Sequence, residues 1–347
     1  MIPFDPNGVG IANGNIFGFP IDEQDASIVL IPVPWDATAS YGKGTSNGPT
    51  AILEASTQLD FYHPQLENAF DTKIFMTAIS QEWLEINSTC CQMSKDYLAE
   101  LEVIGEEQAK EKYADELSYI NKAHEALRSN LMERSLELVK QGKIVAVLGG
   151  EHSTPLGLLE ALNSKYDSFG ILQIDAHADL RNAYEGFDQS HASIMYNVLD
   201  RCQHLEKLVQ IGIRDISATE VELSKSHPKI KTYYDWDLKT ENFEGKNWSE
   251  QVQEIIGSLP QNVYISFDID GLKPELCPHT GTPVAGGFEL EQISYLLFQL
   301  VATGRRIIGF DLNEVAPGEN NDWDANVGAR ALWQLVCACE KSRRNHA

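Results

Sequence analysis

Short apolar runs rich in β-branched residues recur along the chain. They are ASIVLIPVPW (26–35), KIVAVLGG (143–150), FGILQID (169–175), LVQIGI (208–213), IKTYY (230–234), NVYISFDID (262–270) and RIIGFDLNEV (306–315). Such runs predict short strands of a largely buried sheet. Between them lie stretches with helical spacing: 48–56, with Pro49 near its first turn, then 153–163, 248–258, 289–303 and 325–341. From Ser94 to Lys140 the pattern is helical throughout, with mixed charge and no proline. Strand alternating with helix predicts an α/β fold: one mostly parallel sheet covered on both faces. No internal repeat or low-complexity linker intervenes, so 1–347 reads as one domain, with a helical insertion at about 85–140 beside the sheet.

Composition narrows the function. The chain has 347 residues, 43% of them apolar, which supports a substantial core. No apolar run approaches the roughly 18 residues of a membrane span. The opening MIPFDPNGVGIANGN lacks the basic and apolar regions of a signal peptide, so the expected location is the cytoplasm. Six cysteines without C-x-x-C spacing suit reduced side chains better than disulfides or zinc sites. A net charge of −24 argues against nucleic acid, which needs a basic face. It is compatible with steering a cation, although solvated acidic helices account for most of it.

The chemistry is expected where ligands bind in such sheets, outside the carboxyl ends of the strands. His152 follows one strand in VAVLGGEHS. In ILQIDAHADLR, Asp175, His177 and Asp179 stand at i, i+2 and i+4, a spacing that puts three side chains on one side of an extended segment. VYISFDIDG supplies Asp268 and Asp270, and IIGFDLNEVAPG supplies Asp311 and Glu314. A single Asp after a strand is more often a helix cap or turn residue. In combination, His152, Asp175, His177, Asp179, Asp268 and Asp270 gather carboxylates that would repel one another without a cation. Carboxylates and imidazoles without sulfur suit Mn²⁺ best, with Ni²⁺, Co²⁺ and Zn²⁺ as alternatives. Six side chains are too many for one zinc-like centre and suit two divalent ions that share carboxylates and hold a hydroxide between them. Such a centre stays net negative and prefers a cationic electrophile to a phosphate ester.

At these residues the sequence resembles the ureohydrolase family, which contains arginases, agmatinases, guanidinobutyrases and formimidoylglutamases. GGEHS resembles the family's G-G-D-H-S, DAHADL its D-A-H-x-D, and SFDIDGLKP its S-x-D-x-D-x-x-D-P; TGTPVAGGFE and NEVAPG match further segments. The resemblance runs from about Ile28 to Glu340. It implies a three-layer α/β/α sandwich around an eight-stranded parallel sheet, assembled as trimers or hexamers. It further implies that His152, Asp175, Asp179 and Asp268 bind one ion and Asp175, His177, Asp268 and Asp270 the other. Asp179 would pass a proton to the leaving amine, His191 would exchange protons with solvent, and Glu314 would hold the guanidinium. Two positions depart from the pattern: Glu151 and Lys273 stand where the family mostly has Asp.

The loop LRNAYEGFDQS is expected to contact the substrate's far end, through Arg181 and Tyr184 among others. Arg181 stands where arginases place an Asn, so the first choice is agmatine, cleaved to putrescine and urea. Guanidinobutyrate, arginine and free guanidine are the alternatives. Arg181 would repel a distal ammonium unless an acid such as Glu185 or Asp188 pairs with it, and the paired state is expected. Two rivals lie outside this class. One is a single-zinc amide deacetylase on a related fold, which needs neither His177 nor Asp270. The other is an inactive partner subunit, against which six intact ligand positions stand.

Overall fold

The apolar runs become strands in a computed structural model that describes residues 4–346. In chain order these are β1 (Ile28–Val33), β2 (Ile74–Met76), β3 (Ile144–Gly149), β4 (Phe169–Ile174), β5 (Leu205–Ile213), β6 (Ile230–Tyr234), β7 (Asn262–Asp268) and β8 (Arg306–Asn313). They form one sheet in the order β2-β1-β3-β8-β7-β4-β5-β6. Every neighbouring pair is parallel, so the sheet is wholly rather than mostly so. β2 was not legible as a strand: three residues at a sheet edge carry too little pattern to stand out.

The helices are α1 (Gly48–Ser56), α2 (Gln81–Ile104), α3 (Glu106–Lys112), α4 (Ala114–Lys140), α5 (Leu156–Asn163), α6 (Ile194–Arg201), α7 (Ala218–Ser226), α8 (Asp235–Phe243), α9 (Trp248–Gly257), α10 (Leu290–Ala302) and α11 (Trp323–Asn345). Alternate strand residues feed two cores. Leu30, Ala146, Ile265 and Phe310 pack with α1, α9, α10 and α11 through Ile52, Val252, Leu297 and Leu332. Val29, Val145, Tyr264 and Ile308 face α4, α5 and α6 through Leu131, Leu159 and Met195. The result is the expected three-layer α/β/α sandwich.

The uninterrupted helix expected over 94–140 is broken. α2 starts earlier, capped by the Ser80 hydroxyl accepting from Trp83 N, and ends at Gly105, whose φ of 83° leaves the helical region. α4 then lies across α5 and α2. No helix among the described residues is long and apolar enough to cross a membrane.

The strand order places the chemistry. The chain builds outward from β1 and then crosses from β3 to β4, and β7 and β8 fill the gap between them. A crevice results at the carboxyl ends of β3, β8, β7 and β4, the switch point where open α/β sheets bind ligands.

Candidate active site

Three loops leaving β3, β4 and β7 bring the six expected ligand residues together. His152 Nδ1 lies 3.0 Å from Asp175 Oδ2, 3.0 Å from Asp179 Oδ2 and 3.4 Å from Asp268 Oδ2. His177 Nδ1 lies 3.0 Å from Asp270 Oδ2 and 3.7 Å from Asp175 Oδ1. Two donor sets, His152/Asp175/Asp179 and Asp175/His177/Asp270, each fall within a 4.8 Å sphere and share Asp175. Asp268 borders the first set and caps the turn carrying Asp270, accepting from Asp270 N at 2.9 Å. Oδ1 of Asp268 thus serves as the cap while Oδ2 faces His152.

One atom tests whether a metal fits. His152 Nδ1 is buried among three carboxylates yet makes no hydrogen bond. Its other nitrogen is within 2.8 Å of Ser266 Oγ, which in turn donates to the buried Asp311 carboxylate at 3.2 Å. A lone pair aimed into carboxylates, with the opposite nitrogen held by a polar chain, is the arrangement of a metal-binding histidine. The donor set fits two divalent ions.

The electrostatics agree. Burial, and then the Asp175 charge, push Asp179 up to about 7. Burial, and then Asp270 and Asp175, push Asp268 well above the usual carboxylate range. Burial also pushes Asp175 up, but the neighbouring His152 and His177 imidazoles outweigh it and hold this carboxyl low. Carboxylates so crowded keep their charge only with a cation among them.

The local backbone departs from the expected extended segment. Asp179 has φ 54°, so the alternation that aligns Asp175 and His177 ends there and a turn swings Asp179 toward His152. Among the described residues six non-glycine positions have positive φ, and four of them, Asp179, Ala183, Glu185 and Glu314, belong to this site or its loop. Strain concentrated in this way is typical of positions fixed for function. Gly150 is required for a different reason. A Cβ there would lie 1.9 Å from Trp35 O, so only glycine lets the loops after β1 and β3 touch.

Beside the ligands opens a cavity of about 160 Å³ lined by His177, Asp179, Arg181, Tyr184 and His191, together with Ser40, Asp215, Glu220 and Thr282. The His191 Nδ1–H donates to Thr38 O at 3.0 Å, which leaves Nε2 as the acceptor facing Ser40 Oγ at 3.2 Å. Burial first, then the positive charge at His177, push this imidazole down to about 4, so it is neutral at pH 7. Glu314 is not a lining residue. Its Oε1 accepts from His152 N at 2.8 Å, and burial, then the Glu151 charge, raise its carboxyl.

Arg181 is paired, but not with Glu185 or Asp188. Its Nε lies 3.7 Å from Glu220 Oε2 and its guanidinium sits 4.5 Å over the Tyr184 ring. Ala183 and Glu185 both have positive φ, and the Glu185 carbonyl accepts from Tyr97 OH at 2.8 Å. Glu220 comes instead from the first turn of α7, where it closes a capping box with Ser217 and also accepts from Leu180 N at 3.1 Å. The S-x-x-E capping signal was in the sequence, but nothing local tied it to Arg181. The two departures from the family pattern also resolve. Lys273 pairs with Glu289 at the surface and does not line the cavity. Glu151 is buried and turns away from the ligands toward Thr38.

Also unforeseen was a row of polar side chains across the sheet. Thr232 Oγ1 donates to Gln210 Oε1 (2.8 Å), Gln210 Nε2 to Gln173 Oε1 (2.7 Å) and Gln173 Nε2 to Asp175 Oδ2 (2.8 Å). It fixes the shared carboxylate from beneath.

Comparison with known proteins agrees with this geometry. The arginase family pattern matches residues 26–338. N(1)-aminopropylagmatine ureohydrolase of Synechocystis sp. is 30% identical, with 92% of this chain and 91% of that protein covered. Agmatinase of Bacillus anthracis is 28% identical over 85% of each chain. Among solved structures, agmatine ureohydrolase of Thermoplasma volcanium superposes with a TM-score of 0.71 at 22% identity, covering 96% of both chains. Arginase from Bacillus caldovelox shares the fold with a TM-score of 0.64 at 19% identity, covering 90% of this chain and 98% of that one. On the family pattern and the full-length relatives, the chain belongs to the arginase family of metal-dependent ureohydrolases.

Proposed function

We propose that the protein hydrolyses the guanidino C–N bond of a small cationic substrate, agmatine first, releasing urea. The observation that carries this reading is the pair of donor sets sharing Asp175 beside a cavity that holds a neutral His191. His152, Asp175, His177, Asp179, Asp268 and Asp270 would hold two divalent ions, Mn²⁺ by the donor chemistry. When bound, the ions supply Lewis acidity and a water acidified toward neutral pH. Asp179 passes a proton to the leaving amine. His191, whose Nε2 carries no proton and faces Ser40 Oγ, exchanges protons with solvent. Glu314, set behind the cavity wall with Oε1 on the His152 amide, would hold the guanidinium through Oε2, as the family resemblance implies. Tyr184, beneath the Arg181 guanidinium, closes the loop side of the cavity.

A second reading extends the substrate. Asp215, on the cavity rim beside His177, is exposed and makes no ion pair among the described residues. A free carboxylate there suits a substrate with a further ammonium group, such as the N(1)-aminopropylagmatine in the name of the Synechocystis relative. Urea release from agmatine, N(1)-aminopropylagmatine, 4-guanidinobutyrate, arginine and guanidine separates these readings, and no urea from any of them overturns both.

We place the enzyme in the cytoplasm, where six free cysteines stay reduced, and as a homo-oligomer, a trimer or hexamer by family resemblance. Light scattering tests the assembly.

A further inference from the structure

His191 does not stand alone in the cavity wall. Its Nδ1–H is held by the Thr38 carbonyl at 3.0 Å, and this contact sets which nitrogen faces the cavity. What holds Thr38 is Glu151. Oε2 of Glu151 accepts from Thr38 N at 3.0 Å, and Oε1 accepts from the Thr38 hydroxyl and from Ser153 Oγ at 2.6 Å. Glu151 is fully buried, and each of its oxygens accepts from Thr38. The loop is fixed from its other side by Asp36, which accepts from Gly44 N at 2.8 Å and Ser46 N at 3.2 Å. Lys43 Nζ reaches back to Asp36 O and Ala37 O at 3.1 and 3.3 Å. Thr38 is therefore clamped at both the amide and the hydroxyl, and its carbonyl has one direction to point.

We infer that Glu151 is a positioning residue for the proton-transfer step, holding Thr38 so that its carbonyl fixes the tautomer and ring orientation of His191. The inference rests on the proton-exchange role proposed for His191. A buried carboxylate is costly unless its bonds are specific, and here two of the three go to Thr38 and the third to Ser153. This also accounts for a glutamate beside a metal ligand that itself makes no contact with the ligand cluster.

The test is a double-mutant cycle on the metal-loaded enzyme, with agmatine as substrate and elemental analysis of each variant. Glu151→Gln keeps the shape but can no longer accept at both oxygens. We expect kcat to fall about tenfold with KM within about twofold, and both metal ions retained. In the His191→Ala background, Glu151→Gln should cost nothing further, because the group it positions is gone. Glu151→Asp, which keeps the charge, should recover part of the loss. Should Glu151→Gln fail to fold, Thr38→Val, which removes only the hydroxyl contact, enters the same cycle. A slow His191→Ala enzyme with a fully additive Glu151→Gln loss overturns this inference alone. So does loss of a metal ion in Glu151→Gln, which would place its effect on His152. An unchanged rate in His191→Ala overturns the role of His191 and this inference with it.

Discussion

The two walls of the cavity are built in different ways. The ligand wall comes from strand ends: each of His152, Asp175 and Asp268 follows or ends a strand of a hydrogen-bonded parallel sheet, and the sheet fixes their spacing. The opposite wall comes from two loops, 36–46 and 181–191, with no sheet beneath them. Those loops are gripped by the helices of the 81–140 segment. Asn87, Cys91 and Ser94 of α2 hold Asp36 and Lys43. Tyr97 of α2 and Asn121 of α4 hold the carbonyls of Glu185 and Gly186. The contrast suggests a division of work: the sheet gathers the charge-dense cluster, and the helical segment aims the side chains that we propose meet the substrate and move protons.

If that division is right, the largest loss should come from the sheet wall. Asp268→Asn removes a negative charge from the donor set while leaving the Asp270 N–H an acceptor. We expect kcat/KM to fall about a thousandfold or more, ~4 kcal/mol of transition-state stabilisation, in a folded protein. Near wild-type turnover in a folded, metal-loaded mutant would remove Asp268 from the centre. The same wall should hold two ions per chain, and elemental analysis giving one would end the binuclear reading.

His191→Ala strikes the loop wall at the point nearest the chemistry. Proton transfer by a placed side chain contributes on the order of a hundredfold or more. A fall of about that size, partly restored by added imidazole and with both metals kept, is the expected outcome. Loss of a metal ion would move His191 to the ligand wall.

The two walls were not equally legible. A residue directly after an apolar strand reports its own position, so the six candidate ligand residues could be read from spacing. Asp179 joins His152 and Asp175 for another reason than the one that singled it out, because its positive φ replaces the expected alternation. The loop wall depends on partners far apart in sequence: Thr38 with Glu151, Arg181 with Glu220, Asn87 with Asp36. No local pattern encodes such pairs. The break at Gly105 matters for the same reason, since it folds α4 back beside α2 and puts Asn121 on the loop that Tyr97 also holds.

The helical grip makes a smaller, separate prediction. Asn87 bonds Asp36 twice, accepting from its N at 2.8 Å and donating to its Oδ1 at 2.9 Å, and both residues are buried. Asn87→Ala should lower stability at pH 7 by about 1–3 kcal/mol and reduce kcat severalfold through the loop that bears Thr38. Burial raises the Asp36 carboxyl, but hydrogen bonds from Asn87, Gly44, Cys91 and Ser46 outweigh it and hold it low. A depressed carboxyl contributes stability above its unfolded pKa, and the contribution is lost as pH falls through the folded value. The gap between wild type and mutant in urea melts should therefore be full at pH 7 and narrow in acid. A constant gap would show that Asn87 acts by packing alone.

The smallest effect is expected at Arg181, although it lines the cavity. A cation facing a cationic substrate should repel it, yet here Glu220 lies 3.7 Å away and the guanidinium rests on the Tyr184 ring. The side chain is 42% exposed, so the pair is screened and worth little to folding. Its charge is spent on Glu220 before a substrate arrives. Arg181→Ala should leave kcat/KM for agmatine within about threefold, and stability nearly unchanged. Glu220→Gln sharpens the point: with its partner neutral, Arg181 is left to face the substrate, and KM for a diamine-like substrate should rise more than in Arg181→Ala. The opposite pattern is equally clear. If wild type prefers 4-guanidinobutyrate and Arg181→Ala loses that preference by about tenfold, the guanidinium binds a distal carboxylate. Glu220 would then be only its orienting partner, and agmatine would not be the substrate.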